Sequence, residues 1–202
     1  MNNGMKTNTI RAFIAIELDN QIKQKLNQAI LDLSSKISYR LRWVKPDLIH
    51  LTLNFLGNIP LSKIGAVSDL MYKTVFDLQV FNVEFKGMGC FPSLNRPRVI
   101  WIGMEQSSEL YTMQKSLTDA LRQNGFEIET RPFSPHLTLA RVPETTLQHV
   151  LQQIGGAVEL YKTLEIGSME VAQLKLLKSD LTPAGPRYAT LSTAFLKNER
   201  RS

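Results

Sequence analysis

The chain has 202 residues, 43% of them hydrophobic and 21% charged, which suits one folding unit with a real core, either a compact domain or two small lobes sharing a cleft. Lys and Arg outnumber Asp and Glu by 24 to 18, and the net charge of +6 favours an anionic partner such as nucleic acid. Cys90 is the only cysteine, which excludes an internal disulfide and a cysteine zinc cage, and no stretch approaches the roughly 20 apolar residues that span a bilayer, so a cytoplasmic protein without a membrane role is expected.

Residues 10–18 form a short apolar run suited to a buried strand, after which Asp19 can cap a helix. From 21 to 37 the apolar positions Ile22, Leu26, Ala29, Ile30, Leu33 and Ile37 recur at helical spacing. Strands are predicted at 41–44 and 49–55, separated by the turn Lys45-Pro46-Asp47. A helix follows over about 61–76, then a strand over 80–86 and a loop rich in Gly and Pro. Next come a buried strand at 99–102, a helix marked by Leu110, Met113, Leu117, Ala120 and Leu121 that Gly125 ends, and a loop at 130–135. That loop delivers a strand beginning near His136. A helix near 145–154 and two strands, about 164–177 and 188–195, complete the pattern. Residues 1–8 and 197–202 are expected to be flexible.

Two identical tetrapeptides stand out, His50-Leu51-Thr52-Leu53 and His136-Leu137-Thr138-Leu139. On a strand, residues two apart share a face, so each segment presents an imidazole beside a hydroxyl and turns its leucines to the core. Only three histidines exist, and the third, His149, has no such setting and reads as a helix-surface residue. Two imidazoles on opposite sides of a phosphorus can remove a proton from a nucleophile and supply one to a leaving oxygen. The threonine hydroxyls can donate to non-bridging phosphate oxygens. Neither segment offers a chelating set, so no metal and no cofactor is expected. Cys90, with no basic residue nearby in sequence, reads as structural.

The chain resembles the two-histidine (2H) phosphoesterases, and within them the RNA 2',3'-cyclic phosphodiesterases, also called 2'-5' RNA ligases. Besides the tetrapeptides, residues 11–16, 50–57, 97–103, 133–142, 177–181 and 185–188 look like blocks of that family in its order. The resemblance implies an α+β, bilobal, pseudo-twofold fold, with two antiparallel sheets lining a central groove and helices outside, spanning residues 1–202 as one domain. It implies hydrolysis of a terminal RNA 2',3'-cyclic phosphate to a 2'-phosphate, with reversible 2'-5' ligation as a companion reaction. His50 would be proton donor and His136 proton acceptor, Thr52 and Thr138 would bind phosphate, and Phe55 and Arg141 would contact the nucleobase or RNA. The expected partner is RNA with a cyclic phosphate end, tRNA fragments included, with no obligate protein partner.

Phe55 and Arg141 are each the fifth residue after a histidine, an odd offset that turns them from the groove unless the strand bends. Where the family often has a basic residue after the first tetrapeptide, this chain has Asn54, which would weaken one phosphate or sugar contact. Two other readings stay open: a phosphodiesterase on a small cyclic or 2'-5' linked nucleotide, and a non-catalytic module that grips RNA ends. A basic track through Arg40, Arg42, Arg96, Arg98 and Arg131 would favour polynucleotide.

Overall fold

The computed structural model describes residues 8–183 and 185–198. In chain order the elements are β1 (Thr9–Glu17), α1 (Asn20–Lys36), β2 (Arg42–Trp43), β3 (His50–Pro60), α2 (Ile64–Val75), β4 (Phe81–Phe91), β5 (Val99–Met104), α3 (Ser108–Gln123), β6 (Leu137–Arg141), α4 (Gln148–Glu159), β7 (Glu165–Val171), β8 (Gln173–Thr182) and β9 (Gly185–Phe195). Two antiparallel sheets result, ordered β3-β1-β8-β9 and β2-β6-β5-β4-β7. The α+β, two-sheet expectation is borne out.

The helices form where their stripes and caps specify. Asp19 accepts a hydrogen bond from the Ile22 amide at 2.7 Å to start α1, whose buried stripe is Ile22, Leu26, Ala29, Ile30 and Leu33. Ser107 caps α3 in the same way through the Leu110 amide, and Gly125, at φ 77°, follows its last turn. Packing then crosses the chain over. The helix after β1, α1, packs on β7 of the second sheet, whereas α3, which follows β5 of the second sheet, packs on α2 and β3 of the first.

The lobes are therefore interleaved, not sequential halves. Half of the first sheet, β8 and β9, comes from the end of the chain, and β2 from the first half pairs with β6 in the second sheet. The predicted single strand at 164–177 is two strands that part at Ala172, β7 joining one sheet and β8 the other. The predicted Gly-rich loop after 86 is also corrected, because β4 continues to Phe91. Glycine in a strand marks a bulge or a close approach. Gly87 sits at φ 74° where the pairing shifts register, and a Cβ at Gly89 would lie 2.4 Å from the Trp101 ring.

The ends expected to be flexible fall mostly on 1–7 and 199–202, which lie outside the described residues. Just inside them, the Asn8 carbonyl accepts from the Leu61 amide, and Lys197 exchanges backbone hydrogen bonds with Leu78 and Val80.

Candidate active site

His50 opens β3, and His136 stands one residue before β6. The two strands belong to different sheets, and Cα atoms of one approach those of the other within 8 Å. The tetrapeptide leucines, Leu51, Leu53, Leu137 and Leu139, are all buried in the core, which leaves Thr52 and Thr138 on the opposite face with the imidazoles. Both rings are held alike. Nδ1 of His50 donates to the Leu48 carbonyl at 2.9 Å, and Nδ1 of His136 donates to the Ser134 carbonyl at 2.7 Å. Because a carbonyl only accepts, each Nδ1 carries its proton, and each Nε2 is left free to take or give one.

The odd offset of Phe55 and Arg141 has a structural answer in both strands. Against β1, Thr52 pairs with Ala15 and Asn54 with Ile14, so Leu53 is an extra residue. Against β5, Thr138 pairs with Trp101 and Ala140 with Ile100, so Leu139 is the extra residue there. Each bulge resets the alternation by one. Asn54 and Ala140 turn inward, while Phe55 and Arg141 emerge on the motif face. Phe55 is 54% exposed, and its ring lies 6.1 Å from that of Phe13.

The same bulge changes the reading of Asn54. It is buried behind the sheet, where its Nδ2 donates to Thr118 Oγ1 at 2.7 Å, so it cannot weaken a contact in the groove. Its Oδ1 has no partner among the described residues.

Sequence reasoning gave no role to the aromatic residues around the histidines. Phe13 stacks on His50 at 4.7 Å, and Tyr188 meets the His50 ring edge-on at 5.2 Å. Phe13, Ala15 and Leu177, with Tyr188 against them, form a small apolar cluster apart from the main core, on the groove side of the first sheet. Across the groove, Phe91 meets His136 edge-on at 4.9 Å and rests on Trp101, whose ring lies over Gly89. A sequence signal existed, since Phe13, Trp101 and Tyr188 all lie in the blocks outside the tetrapeptides, but nothing local tied them to an imidazole.

Burial lowers the His50 pKa, opposed by the Leu48 carbonyl and by the charge of Glu17, which is itself ion-paired to Lys175. The ring is thus neutral near pH 7 and takes up a proton only when the pH falls through this depressed value. Burial also raises the Tyr188 phenol, against the opposing charges of Arg141 and Arg11. Arg141, from the second sheet, therefore acts electrostatically on a residue of the first. A pocket of about 140 Å³ lies beside His50, lined by Glu17, Asp47 and Tyr188 among others. A larger one of about 400 Å³, between Leu78–Phe81 and the start of α3, is remote from both tetrapeptides.

His149 is exposed on α4, as its setting in the sequence suggested, and Cys90 is buried, its thiol pushed up to about 12 by desolvation. Of the five arginines expected to form a track, Arg98 donates to the Pro143 carbonyl at 2.7 Å and Arg131 is ion-paired to Glu129. Arg40, Arg42 and Arg96 are all exposed.

The description LigT like Phosphoesterase matches the chain twice, over residues 16–101 and 102–188, with one tetrapeptide in each match. The chain belongs to the LigT-like phosphoesterase family. Its relatives in that family include an RNA 2',3'-cyclic phosphodiesterase of Archaeoglobus fulgidus, 32% identical over 90% of this chain and 98% of that protein. Another, from Thermotoga maritima, is 30% identical over 90% of this chain and 93% of its own. Among solved structures, E. coli LigT complexed with 3'-AMP aligns with a TM-score of 0.73 at 25% identity, covering 94% of this chain and 99% of that one. A crystal structure of a Thermus thermophilus protein aligns at 0.78 and 25% identity, covering 94% and 100%. This LigT-like fold has no helix, among the described residues, long and apolar enough to cross a membrane.

Proposed function

We propose that this chain, acting as one two-lobed unit, hydrolyses the terminal 2',3'-cyclic phosphate of RNA to a 2'-phosphate without a metal ion. The observation that carries the reading is the matched local geometry of the two His-x-Thr segments: the same Nδ1–H to carbonyl bond, the same threonine on the shared face, and the same bulge beyond it. The relatives' names supply the substrate, and tRNA fragments are among the RNA ends it covers.

In this mechanism Thr52 and Thr138 hold the non-bridging oxygens of the cyclic phosphate. Nε2 of His136 removes a proton from water, the water oxygen bonds to phosphorus, and the bond from phosphorus to O3' breaks. Nε2 of His50 gives its proton to O3', leaving a 3'-hydroxyl and a 2'-phosphate. A 5'-hydroxyl in place of water yields a 2'-5' linkage, and in the reverse of that step the histidines exchange roles. His50, neutral in the free protein, gains its proton more readily once the anionic phosphate lies beside it.

Product analysis after incubation with an RNA ending in a 2',3'-cyclic phosphate tests this reading, and a chelator should leave the rate unchanged. Loss of activity on chelation, restored by a divalent ion, would overturn the metal-free mechanism. The pH profile of kcat/KM should be bell-shaped, since one histidine must be neutral and the other protonated. Its acidic limb should lie below the ordinary histidine value, because burial lowers His50. A flat profile between about pH 5 and 9 would remove the paired histidines from the mechanism.

Phe55, exposed beside Phe13, supports the terminal base by stacking, a contact worth about 1 to 3 kcal/mol. Phe55→Ala should therefore raise KM roughly 5- to 150-fold, while thermal stability changes little because the side chain is not in the core. An unchanged KM would remove Phe55 from the substrate site.

A further inference from the structure

β2 contributes only Arg42 and Trp43 to the second sheet, and their alternation decides where Arg42 goes. Trp43 is opposite Ala140 and packs on the core, so Arg42, opposite Arg141, lies on the groove face. Both arginines are exposed, and neither makes a hydrogen bond or ion pair among the described residues. Directly opposed residues of an antiparallel pair bring their Cβ atoms within about 4.5 to 5.5 Å, where like charges destabilise the sheet. Where cations elsewhere stand beside a carboxylate they pair with it, as Lys86 does with Glu105, Lys115 with Asp119 and Lys175 with Glu17. Here two guanidinium groups face one another with no carboxylate between them.

Their place along the strand is equally informative. With one residue of the three taken up by the bulge, the path from Thr138 to Arg141 is about 7 to 10 Å at the usual rise of an extended strand. That carries the arginine pair beyond the phosphorus that the threonines hold, by a distance suited to the next phosphate of a nucleotide chain. The first sheet has no opposed pair of arginines, since Arg11 of β1 stands opposite Asn58. At the matching position it presents Phe55 against Phe13, and β3 is an edge with no strand outside it. The pseudo-twofold breaks at this point, with an aromatic pair after the first tetrapeptide and an opposed pair of arginines after the second.

We propose that Arg42 and Arg141 together form a second phosphate subsite, which takes the internucleotide phosphate on the 5' side of the terminal nucleotide and makes the groove prefer an oligonucleotide to a cyclic mononucleotide. The planar guanidinium is suited to this, because it presents parallel N–H donors to two phosphate oxygens. The subsite rests on the cyclic phosphodiesterase reading and adds to it a dependence on chain length.

The test compares kcat/KM for an RNA oligonucleotide ending in a 2',3'-cyclic phosphate with that for a 2',3'-cyclic mononucleotide, which has no second phosphate. Arg42→Ala should lower the ratio of the two about tenfold, and Arg42→Lys, which keeps the charge without the fork, should recover only part. The slope of log kcat/KM against log salt for the oligonucleotide should become shallower by about 0.7 in Arg42→Ala, the loss of one phosphate contact. Lys73→Ala, on the exposed side of α2, serves as a control for overall charge and should keep the ratio of the unsubstituted protein. A ratio within about twofold of that protein for Arg42→Ala, or an equal fall for Lys73→Ala, would overturn the subsite while leaving the phosphodiesterase reading in place. If the unsubstituted protein turned over neither substrate, that reading would fail instead. Binding of an oligonucleotide ending in a 2'-phosphate would then decide the subsite, upheld by about tenfold weakening in Arg42→Ala and overturned by an unchanged affinity.

Discussion

His50→Ala and His136→Ala should each lose about 10²- to 10⁴-fold or more in turnover of the cyclic phosphate while remaining folded, the range contributed by one positioned acid or base. The two rings are tethered alike through Nδ1, so neither can be spared by a better-placed neighbour. His50 also supports Phe13 and Tyr188, so its removal leaves a small gap, and His50→Gln, closer in volume, separates packing from proton transfer. The double alanine variant should be little worse than the poorer single one, because groups that act on one transition state are not additive. A folded single variant with near-normal turnover, or losses that simply multiply, would exclude the paired mechanism.

Thr52→Ala and Thr138→Ala come next, each with an expected loss of about 10- to 100-fold in kcat/KM. A hydrogen bond to a charged group is worth about 1.5 to 3 kcal/mol, and each 1.4 kcal/mol is about a factor of ten. Both hydroxyls lie on the motif face, with their flanking leucines anchored in the core, so the substitutions should not disturb the strands. Serine at either position keeps the hydroxyl and should restore most of the rate. Should serine and alanine prove equally impaired, the threonines would be structural, and phosphate binding would have to come from elsewhere.

The helices and both tetrapeptides were legible because their signals are local. Helical spacing from Ile22 to Leu33, with Asp19 ahead of it, sets the extent of α1, and the duplicated His-Leu-Thr-Leu points to the chemistry without any tertiary information. Partner choice was not legible. Ala172 carries no break signal of its own, and the chain changes sheets there only because β7 finds β4 while β8 finds β1. The bulges at Leu53 and Leu139 were equally hidden, since a leucine in a strand looks the same whether or not it is opposed by a partner. Their effect was nonetheless anticipated as a bend that Phe55 and Arg141 would require. Asn54 shows the converse, because a residue judged by its place after the motif was carried by the bulge to the far side of the sheet.

The interleaving of the chain bears on how the protein is made. Synthesis runs from the N-terminus, and folding generally begins on the segments already released. His50 and Thr52 emerge early, but the wall in which they sit needs β8 and β9, which are synthesised after every strand of the second sheet. Until then β1 carries an exposed edge where β8 belongs, of the kind that invites pairing with another nascent chain. A chain that stopped after β7 would hold all four motif residues, but with a first sheet reduced to β3 and β1 and without Leu177 and Tyr188 beside His50. The groove wall around the first tetrapeptide is thus complete only once β9 has joined β8.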